Sequence, residues 1–328
     1  MGHGRIITSL ANLLYRKNKQ IVIMSDVSFL KNFQLNQGII IKKIKKTPHI
    51  NYTIGGMCNH NQKDEIYEYV NKNSIECVIF STFFDLDLIK RLKKDKIKTI
   101  LLSYPIRDTY RLALKQRKAF LAFDKVLTLY GPSFQDKIMS NEVLTNPLKT
   151  VYQKPKNTEK IDILITCGGG GRPSSKLFMK KISLALKKLT NQHKGLKVTI
   201  IKGNSKVKTI KKGIHILSWT QDFNSLIRSS KVIISEAGYF TMLDLINYKK
   251  KAILIPGERI IDNQEIRALK LEKLGIGRTF FPFEGVQKLY SLINKELKST
   301  NDNRAFKKIL NRFNRYPELG KVIMSELK

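Results

Sequence analysis

The chain has 328 residues, enough for about two domains of ordinary size, and 42% of them are hydrophobic, which suffices to build cores. Its three cysteines, an odd number without a Cys-x-x-Cys pair, argue against a disulfide framework or a zinc site and for a reducing compartment. The net charge of +35 is spread over both halves, which favours solvated lysine-rich faces or attraction to an anionic membrane surface over nucleic-acid binding.

Neither a membrane span nor a signal peptide is predicted. The longest apolar runs, such as residues 99–106, are far shorter than the roughly 18 residues that a membrane-spanning helix needs. The first residues, "MGHGRIITSLANLLYRK", lack a basic region, a continuous apolar core and a cleavage site. We therefore expect a cytoplasmic protein, with peripheral attachment to the inner face of the cell membrane as an option.

Short apolar runs that predict strands alternate with longer amphipathic runs that predict helices. The predicted strands are 20–25, 76–81, 98–104, 125–131, 160–167, 196–203, 214–219, 231–235 and 251–256. The predicted helices are 5–17, 61–72, 84–95, 108–121, 174–190, 221–229, 239–248, 263–274 and 284–297. This alternation predicts an α/β fold of parallel βαβ units, with sheets covered on both faces.

Residues 146–160 carry two prolines and no periodicity, which predicts a linker. The α/β pattern restarts after it. The sequence thus predicts two doubly wound, Rossmann-like domains, residues 1–150 and 151–328, with an interdomain cleft.

The first domain is expected to depart from this pattern at its start. A βαβ domain opens with a strand, whereas "MGHGR" begins directly with a glycine-containing turn. Either the first strand lies upstream of the given start, which we prefer, or the domain lacks one central strand. A lost strand leaves unpaired strand edges in the middle of a sheet.

Three strand-to-helix corners in the second half carry residues suited to a ligand. In "CGGGGRPSS" (167–175), a strand is followed by four glycines, which let the backbone approach an anion, and then by a helix start that offers unpaired N–H groups. An ordinary flexible turn is the alternative. The spacing matches neither the dinucleotide-binding motif nor the nucleoside-triphosphatase motif.

The second corner is "SEAGYFTMLD" (235–244). The N–H groups of Gly238, Tyr239 and Phe240 are expected to face a diphosphate at the start of a helix. Thr241 and Asp244 share one helix face, and a carboxylate there can accept hydrogen bonds from a ribose diol. Asp244 as a favourable charge near a helix start is an equal alternative.

The third corner, in "ILIPGERIIDNQEIRALKLEKLGIG" (253–277), has Asp262 as the expected N-cap of a helix. Asn263 and Gln264 offer donors and acceptors that suit sugar hydroxyls. An ordinary capped surface helix is the alternative. All three corners follow strands of one predicted parallel sheet, so we expect them at one edge, where such sheets bind ligands.

The segments "GGGG…SEAGYFTMLDL…AILIP…DNQEIRA…LGIG" resemble the C-terminal half of glycosyltransferase family 28, and "MGHGRIITSLANLL" is similar to the glycine-rich, histidine-containing first loop of the same enzymes. The resemblance is good over 160–280, weak over 2–20 and poor over 27–150. It implies a GT-B fold, a UDP-sugar donor in the second domain, no cofactor and no bound metal. It further implies a lipid or glycan acceptor and peripheral membrane attachment through the first domain.

The resemblance also assigns roles to individual residues in the donor site. It implies that the loop near the diphosphate is formed by Gly168, Gly169, Gly170 and Gly171, and that the base is contacted by Trp219 and Thr220. It implies a phosphate-binding corner at Ala237, Gly238 and Thr241. It also implies that the ribose is bound by Asp244 and the sugar by Asn263 and Gln264. Three departures leave the donor sugar and nucleotide open: the ribose acid is usually Glu, the Asn that usually follows the Gln is replaced by Arg267 before Ala268, and Arg172 stands at a position that is often small.

Sugar transfer needs a base for the acceptor hydroxyl and positive potential for the departing diphosphate. His3 is the candidate base, since an imidazole titrates in the right range, with Asp26, Asp85 and Asp87 as alternatives. Helix N-termini and Arg172 are expected to neutralise the leaving group without a metal.

Residues 106–123 mix basic and aromatic side chains, which fits a helix lying on an anionic bilayer or, more commonly, one that buries its apolar face in its own domain. We predict an inverting, metal-independent glycosyltransferase that moves an N-acetylhexosamine or hexose to a lipid-linked or membrane-surface acceptor. A nucleotide-sugar hydrolase or epimerase on the same fold is the alternative. A nucleic-acid-binding module, supported only by net charge, ranks last.

Overall fold

The computed structural model describes residues 2–25, 35–44, 60–81, 84–103, 114–131, 138–148, 159–168, 173–205, 213–220, 222–259, 262–299 and 303–327. The chain divides into two compact units. The first contains Met1–Val151 and Phe313–Lys328, and the second contains Tyr152–Arg312. The predicted linker lies mostly outside the described residues.

Helices and strands alternate along most of the chain. The strands are β1 (Val22–Ser25), β2 (Ile40–Lys43), β3 (Cys77–Ser81), β4 (Lys98–Ser103), β5 (Lys125–Leu129), β6 (Glu142–Thr145), β7 (Ile161–Thr166), β8 (Val198–Ile201), β9 (Ile214–Leu217), β10 (Ser230–Ser235), β11 (Ala252–Leu254) and β12 (Gly277–Thr279). The helices are α1 (Gly2–Tyr15), α2 (His60–Lys72), α3 (Leu86–Lys94), α4 (Leu114–Leu121), α5 (Pro173–Gln192), α6 (Phe223–Ser229), α7 (Tyr239–Asn247), α8 (Gln264–Lys273), α9 (Val286–Lys298), α10 (Arg304–Phe313) and α11 (Leu319–Glu326).

The second unit has one parallel sheet of six strands in the order β9-β8-β7-β10-β11-β12. Its central strands are buried on both faces, because the successive residues Ile163 and Leu164 of β7 are buried, as are Ile233 and Ile234 of β10. The strand order reverses direction between β7 and β10, so this boundary is the topological switch point of a doubly wound sheet. The predicted doubly wound α/β architecture of this half is confirmed.

The first unit contains two parallel sheets. Strand β1 pairs with β2, while β3, β4, β5 and β6 form a four-stranded sheet in that order. Within the described ranges, the two sheets share no hydrogen-bonded strand pair. Met24 of β1 nevertheless packs against the core that contains Phe80 of β3, so both sheets contribute to one core. A sheet that lacks one central strand is expected to have unpaired strand edges in its middle, and the separation of β1 from β3 agrees with that alternative.

The start of the chain differs from its predicted conformation. Residues 2–5 were expected in a glycine-containing loop before a helix at 5–17, but α1 begins at Gly2. The apolar residues Ile6, Leu10 and Leu14 of α1 are buried at helical spacing, and this amphipathic pattern extends the helix back to the glycines.

The C-terminal residues belong to the first unit, which corrects the expected domain 151–328. The Tyr316 ring stacks on that of Tyr130 with centroids 4.2 Å apart. The Pro317 carbonyl accepts a hydrogen bond from the Asn146 N–H at 2.8 Å. The Glu326 carboxylate forms ion pairs with Lys98 at 3.0 Å and Lys125 at 3.4 Å. These contacts attach residues 313–328 to the four-stranded sheet.

Candidate functional site

Three loops that follow neighbouring strands lie together at one edge of the six-stranded sheet. Ser235, the last residue of β10, pairs with Thr166 of β7 on one side and with Leu254 of β11 on the other. Because the strands are parallel, the loops after β7, β10 and β11 leave the sheet at the same edge. The prediction that the three corners meet is therefore confirmed, and the first two flank the switch point, where open α/β sheets bind ligands.

The loop after β7 contains Gly168, whose φ of +60° lies in the left-handed region that favours glycine. Gly169, Gly170, Gly171 and Arg172 lie outside the described residues. Pro173 opens α5, as predicted for a residue that lacks an N–H group. The following serines face the other loops, and the buried Ser175 donates a hydrogen bond to Glu236 at 2.9 Å.

The loop after β10 turns sharply into α7. Glu236 and Ala237 are buried, and the Gly238 N–H donates to the Glu236 carbonyl at 2.8 Å. Gly238 is the N-cap of α7, and no side chain caps the helix. Because its amide serves the turn itself, Gly238 contributes the shape of the corner, and the diphosphate contacts expected at this corner are left to the amides that follow it.

Asp244 and Tyr239 lie inside the fold in this structure. Asp244 is fully buried on α7, whereas Thr241, one turn earlier, is half-buried. Tyr239 is also buried, and this burial raises the pKa of its hydroxyl well above the ordinary value, so the hydroxyl stays protonated. A ribose contact by Asp244 requires its carboxylate to become accessible, and the contact remains a prediction.

The loop after β11 uses its polar side chains to hold itself in shape. The sequence predicts Asp262 as the N-cap of α8, but the N-cap in the structure is Asn263. Gln264 is buried, its Oε1 accepts from the Gly257 N–H at 2.9 Å, and its Nε2 donates to Asp262 at 3.2 Å. Asn263 is half-buried and makes no side-chain cap bond. Gln264, one of the two predicted sugar contacts, therefore also stabilises its own loop.

Arg267 connects the second and third loops. Its side chain is fully buried, with Nη1 donating to the Ala237 carbonyl at 2.6 Å and Nη2 donating to Asp262 at 2.7 Å. From the sequence, Arg267 was recognised only as a departure from the family pattern. The signal that could have found it was its spacing, since Gln264, Arg267 and Leu271 recur on one helix face and all three are buried.

Arg259 connects all three loops, and the sequence reasoning missed it. Its Nη1 donates to Ser174 Oγ at 3.0 Å, and its Nη2 forms an ion pair with Glu236 at 2.5 Å. Ser174 belongs to the start of α5, and Glu236 directly precedes the corner at α7. A guanidinium therefore lies where two helix starts meet.

Trp219 and Thr220 follow β9 and are both half-buried. Strand β9 lies two positions from β7, so these residues leave the sheet at the same edge but farther from the switch point. Thr220 Oγ1 accepts from the Asp222 N–H at 3.0 Å, which shapes the turn into α6. Their predicted contact with the base fits this flanking position.

The predicted base and its alternatives belong to the first unit. His3 is in the first turn of α1, and its side chain is outside the described residues, as is Asp26. Asp85 caps α3 by accepting from the N–H groups of Asp87 and Leu88. Asp87 forms an ion pair with Lys63 at 3.3 Å. Asp85 and Asp87 thus have structural roles that explain their presence, and His3 remains the candidate base.

The structure describes only part of the predicted membrane-binding segment, residues 106–123. Residues 106–113 lie outside the described residues. Phe120 and Phe123 are buried in the core of the first unit, as the alternative predicts, while Arg117 and Lys118 are exposed. In the described part of the chain, no helix is long and apolar enough to cross a bilayer.

Comparison with protein families matches residues 163–315 to the glycosyltransferase family 28 C-terminal domain. The match includes all three loops at the switch point. Slightly less than half of the chain is thus similar to a domain of glycosyltransferase family 28. Its predicted resemblance to this family is therefore confirmed.

A curated relative is the UDP-N-acetylglucosamine--N-acetylmuramyl-(pentapeptide) pyrophosphoryl-undecaprenol N-acetylglucosamine transferase of Thermosipho africanus (strain TCF52B). The two are 26% identical over 168 residues, which are 51% of this chain and 46% of the relative. The match thus spans less than half the length of that relative.

Solved structures of similar architecture cover nearly the whole chain. MurG of Acinetobacter baumannii superposes with a TM-score of 0.63 at 15% identity, over 99% of this chain and 95% of its own. The spinosyn rhamnosyltransferase SpnG complexed with thymidine diphosphate superposes with a TM-score of 0.68 at 12% identity, over 99% and 96%. At these identities the likeness establishes the fold, and the chain has the predicted GT-B fold of two Rossmann-like domains.

Proposed function

We propose that this protein is an inverting glycosyltransferase that moves a sugar from a UDP-sugar to a hydroxyl of a lipid-linked or membrane-surface acceptor. The observation that carries the proposal is the convergence of three loops at the β7–β10 switch point, inside the part of the chain that matches the family 28 C-terminal domain. The name of the relative from Thermosipho africanus, with its UDP-N-acetylglucosamine donor and pyrophosphoryl-undecaprenol acceptor, supports both substrate classes.

The donor is proposed to bind with its diphosphate between the starts of α5 and α7. Helix starts carry unpaired N–H groups and a partial positive charge, both of which favour an anion. The glycines at 168–171 give the backbone room to approach it, and Arg172 adds a cation. The ribose is assigned to Asp244, the base to Trp219 and Thr220, and the sugar to Asn263 and Gln264.

The reaction is proposed to proceed by direct attack of the acceptor hydroxyl on the anomeric carbon. A base removes the hydroxyl proton as the bond to carbon forms, and the bond to the diphosphate breaks on the opposite side of that carbon. We assign the base to His3, and the charge of the leaving UDP to the two helix starts and Arg172, without a metal.

Attachment to an anionic membrane from the cytoplasmic side is proposed to use the exposed basic residues of α4. Arg117 and Lys118 are exposed while Phe120 is buried, so the contact is electrostatic and not an insertion of aromatic rings. Such attachment brings the enzyme to a lipid-linked acceptor.

Isothermal calorimetry with UDP, UDP-N-acetylglucosamine, thymidine diphosphate and GDP tests the donor site on the full chain. We expect the uridine nucleotides to bind and GDP to bind weakly or not at all. If the folded protein binds none of the four, the proposal is wrong. Preference for thymidine diphosphate, the nucleotide in the SpnG complex, would change the proposed donor from a UDP-sugar to a thymidine-diphosphate sugar. The proposal of a glycosyltransferase would stand.

The reaction class is tested separately by product analysis with and without a lipid-linked acceptor. A transferase releases UDP at a rate that depends on the acceptor and yields a product of inverted anomeric configuration. Consumption of the UDP-sugar at an equal rate without an acceptor indicates a hydrolase or an epimerase instead.

A further inference from the structure

The side chains of Glu236 and Arg259 form an ion pair at the junction of the three loops. Arg259 comes from the loop after β11, and Glu236 comes from the loop after β10. Their closest atoms are 2.5 Å apart, and both side chains are largely buried, 13% exposed for Arg259 and 7% for Glu236. None of the predicted donor contacts includes either residue.

The carboxylate of Glu236 is held on both oxygens. Oε2 receives the hydrogen bond from Arg259, and Oε1 receives one from Ser175 Oγ at 2.9 Å. Hydrogen bonds on both oxygens hold the carboxylate in place beside the guanidinium.

The guanidinium of Arg259 is equally constrained. Its Nη1 donates to Ser174 Oγ at 3.0 Å and to the Glu258 carbonyl at 2.8 Å. A Cβ atom at Gly257 would lie 3.0 Å from Nη1, so the glycine lets the loop fold closely around the guanidinium. The cation is therefore oriented towards the start of α5 and away from bulk solvent.

We propose that Glu236 and Arg259 together form an anion site whose strength is set by the carboxylate, and that this site holds the diphosphate of the donor and of the UDP product. The inference rests on the proposed function. Arg259 attracts the diphosphate, and Glu236 offsets part of that attraction. A weaker attraction lets UDP leave after the sugar has been transferred.

This arrangement differs in its consequences from an ion pair that only stabilises the loops. Removing either partner of a structural pair perturbs the same contacts, so both removals act in the same direction on binding. In a charge-tuned anion site, loss of the cation weakens diphosphate binding, whereas loss of the carboxylate strengthens it.

Calorimetry on the full chain with uridine, UMP and UDP separates these cases. For Arg259→Gln we expect UDP to bind about tenfold or more weakly, because a charge-assisted contact is lost. For Glu236→Gln we expect UDP to bind more tightly than to the unaltered protein, and to dissociate more slowly in stopped-flow displacement. Uridine, which has no phosphate, is expected to bind all three proteins equally.

Glu258→Gln is the matched control, because it removes one negative charge from the loop that carries Arg259, while the Glu258 side chain is exposed and outside the pair. We expect it to leave UDP affinity within about twofold, as befits a screened surface charge. Arg259→Lys, which keeps the charge but loses the forked geometry, is expected to fall between the unaltered protein and Arg259→Gln.

Three outcomes overturn the inference. UDP affinity that falls in both Arg259→Gln and Glu236→Gln indicates a structural pair. Equal losses for uridine and UDP indicate a general distortion of the site. If Glu236→Gln does not fold, Arg259→Lys decides, because the inference fails if Lys and Gln at this position weaken UDP equally. An unaltered protein that binds no uridine nucleotide contradicts the proposed function itself, which is a distinguishable result.

Discussion

The two units place their ionised side chains differently. In the second unit, Arg267 is fully buried and the Glu236–Arg259 pair is nearly so, and all of them lie at the loops of the switch point. In the first unit, the pairs Arg91–Asp64 and Lys93–Asp124 lie at the surface, and the buried Lys63 pairs with Asp85, the N-cap of α3. Burying charge costs free energy unless it is paired and hydrogen-bonded. The second unit bears this cost at the loops of one sheet edge, whereas the first unit bears it where α2 contacts the start of α3.

The sheets of the two units differ in the same sense. The second unit has an uninterrupted six-stranded sheet, and the loops after its neighbouring strands meet at a defined point. Among its described residues, the first unit has two sheets, one formed by β1 and β2 and the other by β3 to β6. The candidate base His3 is at the start of α1. The proposed donor site thus lies on one continuous sheet, whereas the proposed base lies at the start of a helix in the unit that has two separate sheets.

Replacing the candidate base tests whether the first unit contributes to the chemistry at all. For His3→Ala we expect the transfer rate at saturating substrates to fall by about 100- to 10,000-fold, because general base catalysis is lost, with little change in UDP affinity. The measurement is the initial rate of acceptor-dependent UDP release. His193→Ala is the control, since His193 is exposed and contacts Asn294. Equal rates for the two variants would assign the base elsewhere.

Removing a buried cation tests the framework of the second unit. For Arg267→Ala we expect the free energy of unfolding to fall by about 3 to 5 kcal/mol, because Asp262 and the Ala237 carbonyl lose their buried partner. Fluorescence of Trp219, the only tryptophan in the chain, follows unfolding of this unit in urea.

The matched control for this variant is Arg278→Ala, which removes a 44% exposed arginine whose contact with Glu296 is 3.7 Å long. We expect it to cost about 1 kcal/mol or less. If both variants destabilise the unit equally, the burial of Arg267 does not carry the stability that the comparison assigns to it.

Much of the fold of the second unit follows from periodicity. Apolar runs such as 231–235 and 160–167 predict the strands within two residues, because strands covered on both faces are nearly continuous in apolar residues. Strand β12 was not predicted. It has three residues and begins with Gly277, so it carries no periodicity, and its position depends on pairing with β11.

The site could be located from sequence but its internal bonds could not. Glycines and polar residues after strands mark the three corners, because parallel strands bring them to one edge. The Arg259–Glu236 pair joins two loops that are separated in the sequence, and the Arg267–Asp262 pair holds an irregular loop. No local sequence pattern predicts either contact. Similarly, residues 319–326 show helical spacing, but only the contacts of Glu326 and Tyr316 assign them to the first unit.

A smaller effect is expected at the surface of the first unit. The double variant Arg117→Gln/Lys118→Gln should lower binding to vesicles of mixed neutral and anionic lipid by roughly tenfold or more, since each basic residue near such a surface contributes about 1 kcal/mol. Co-sedimentation with the full chain measures it. Lys307→Gln/Lys308→Gln, an adjacent exposed pair in α10, is the control. Equal losses for both doubles would indicate that overall charge and not α4 directs the protein to the membrane.

The smallest effect concerns the attachment of α11 to the first unit. The hydrogen bond from Lys98 lowers the pKa of Glu326 below its ordinary value of 4.5, and the charge of Lys125 acts in the same direction. Because the folded-state pKa is the lower one, the contact contributes its full stability above about pH 4.5 and loses it as the pH falls through the folded-state pKa. Glu326→Gln should therefore cost about 0.5 to 1 kcal/mol at pH 7, and the difference from the unaltered chain should shrink below pH 4.5. Urea unfolding followed by circular dichroism at pH 7, 5, 4 and 3 measures this, with the exposed Glu318→Gln as the control. A difference that stays constant down to pH 3 would mean that the Glu326 side chain acts by packing, and the surface ion pairs of the first unit would then contribute even less than the comparison with the second unit assigns to them.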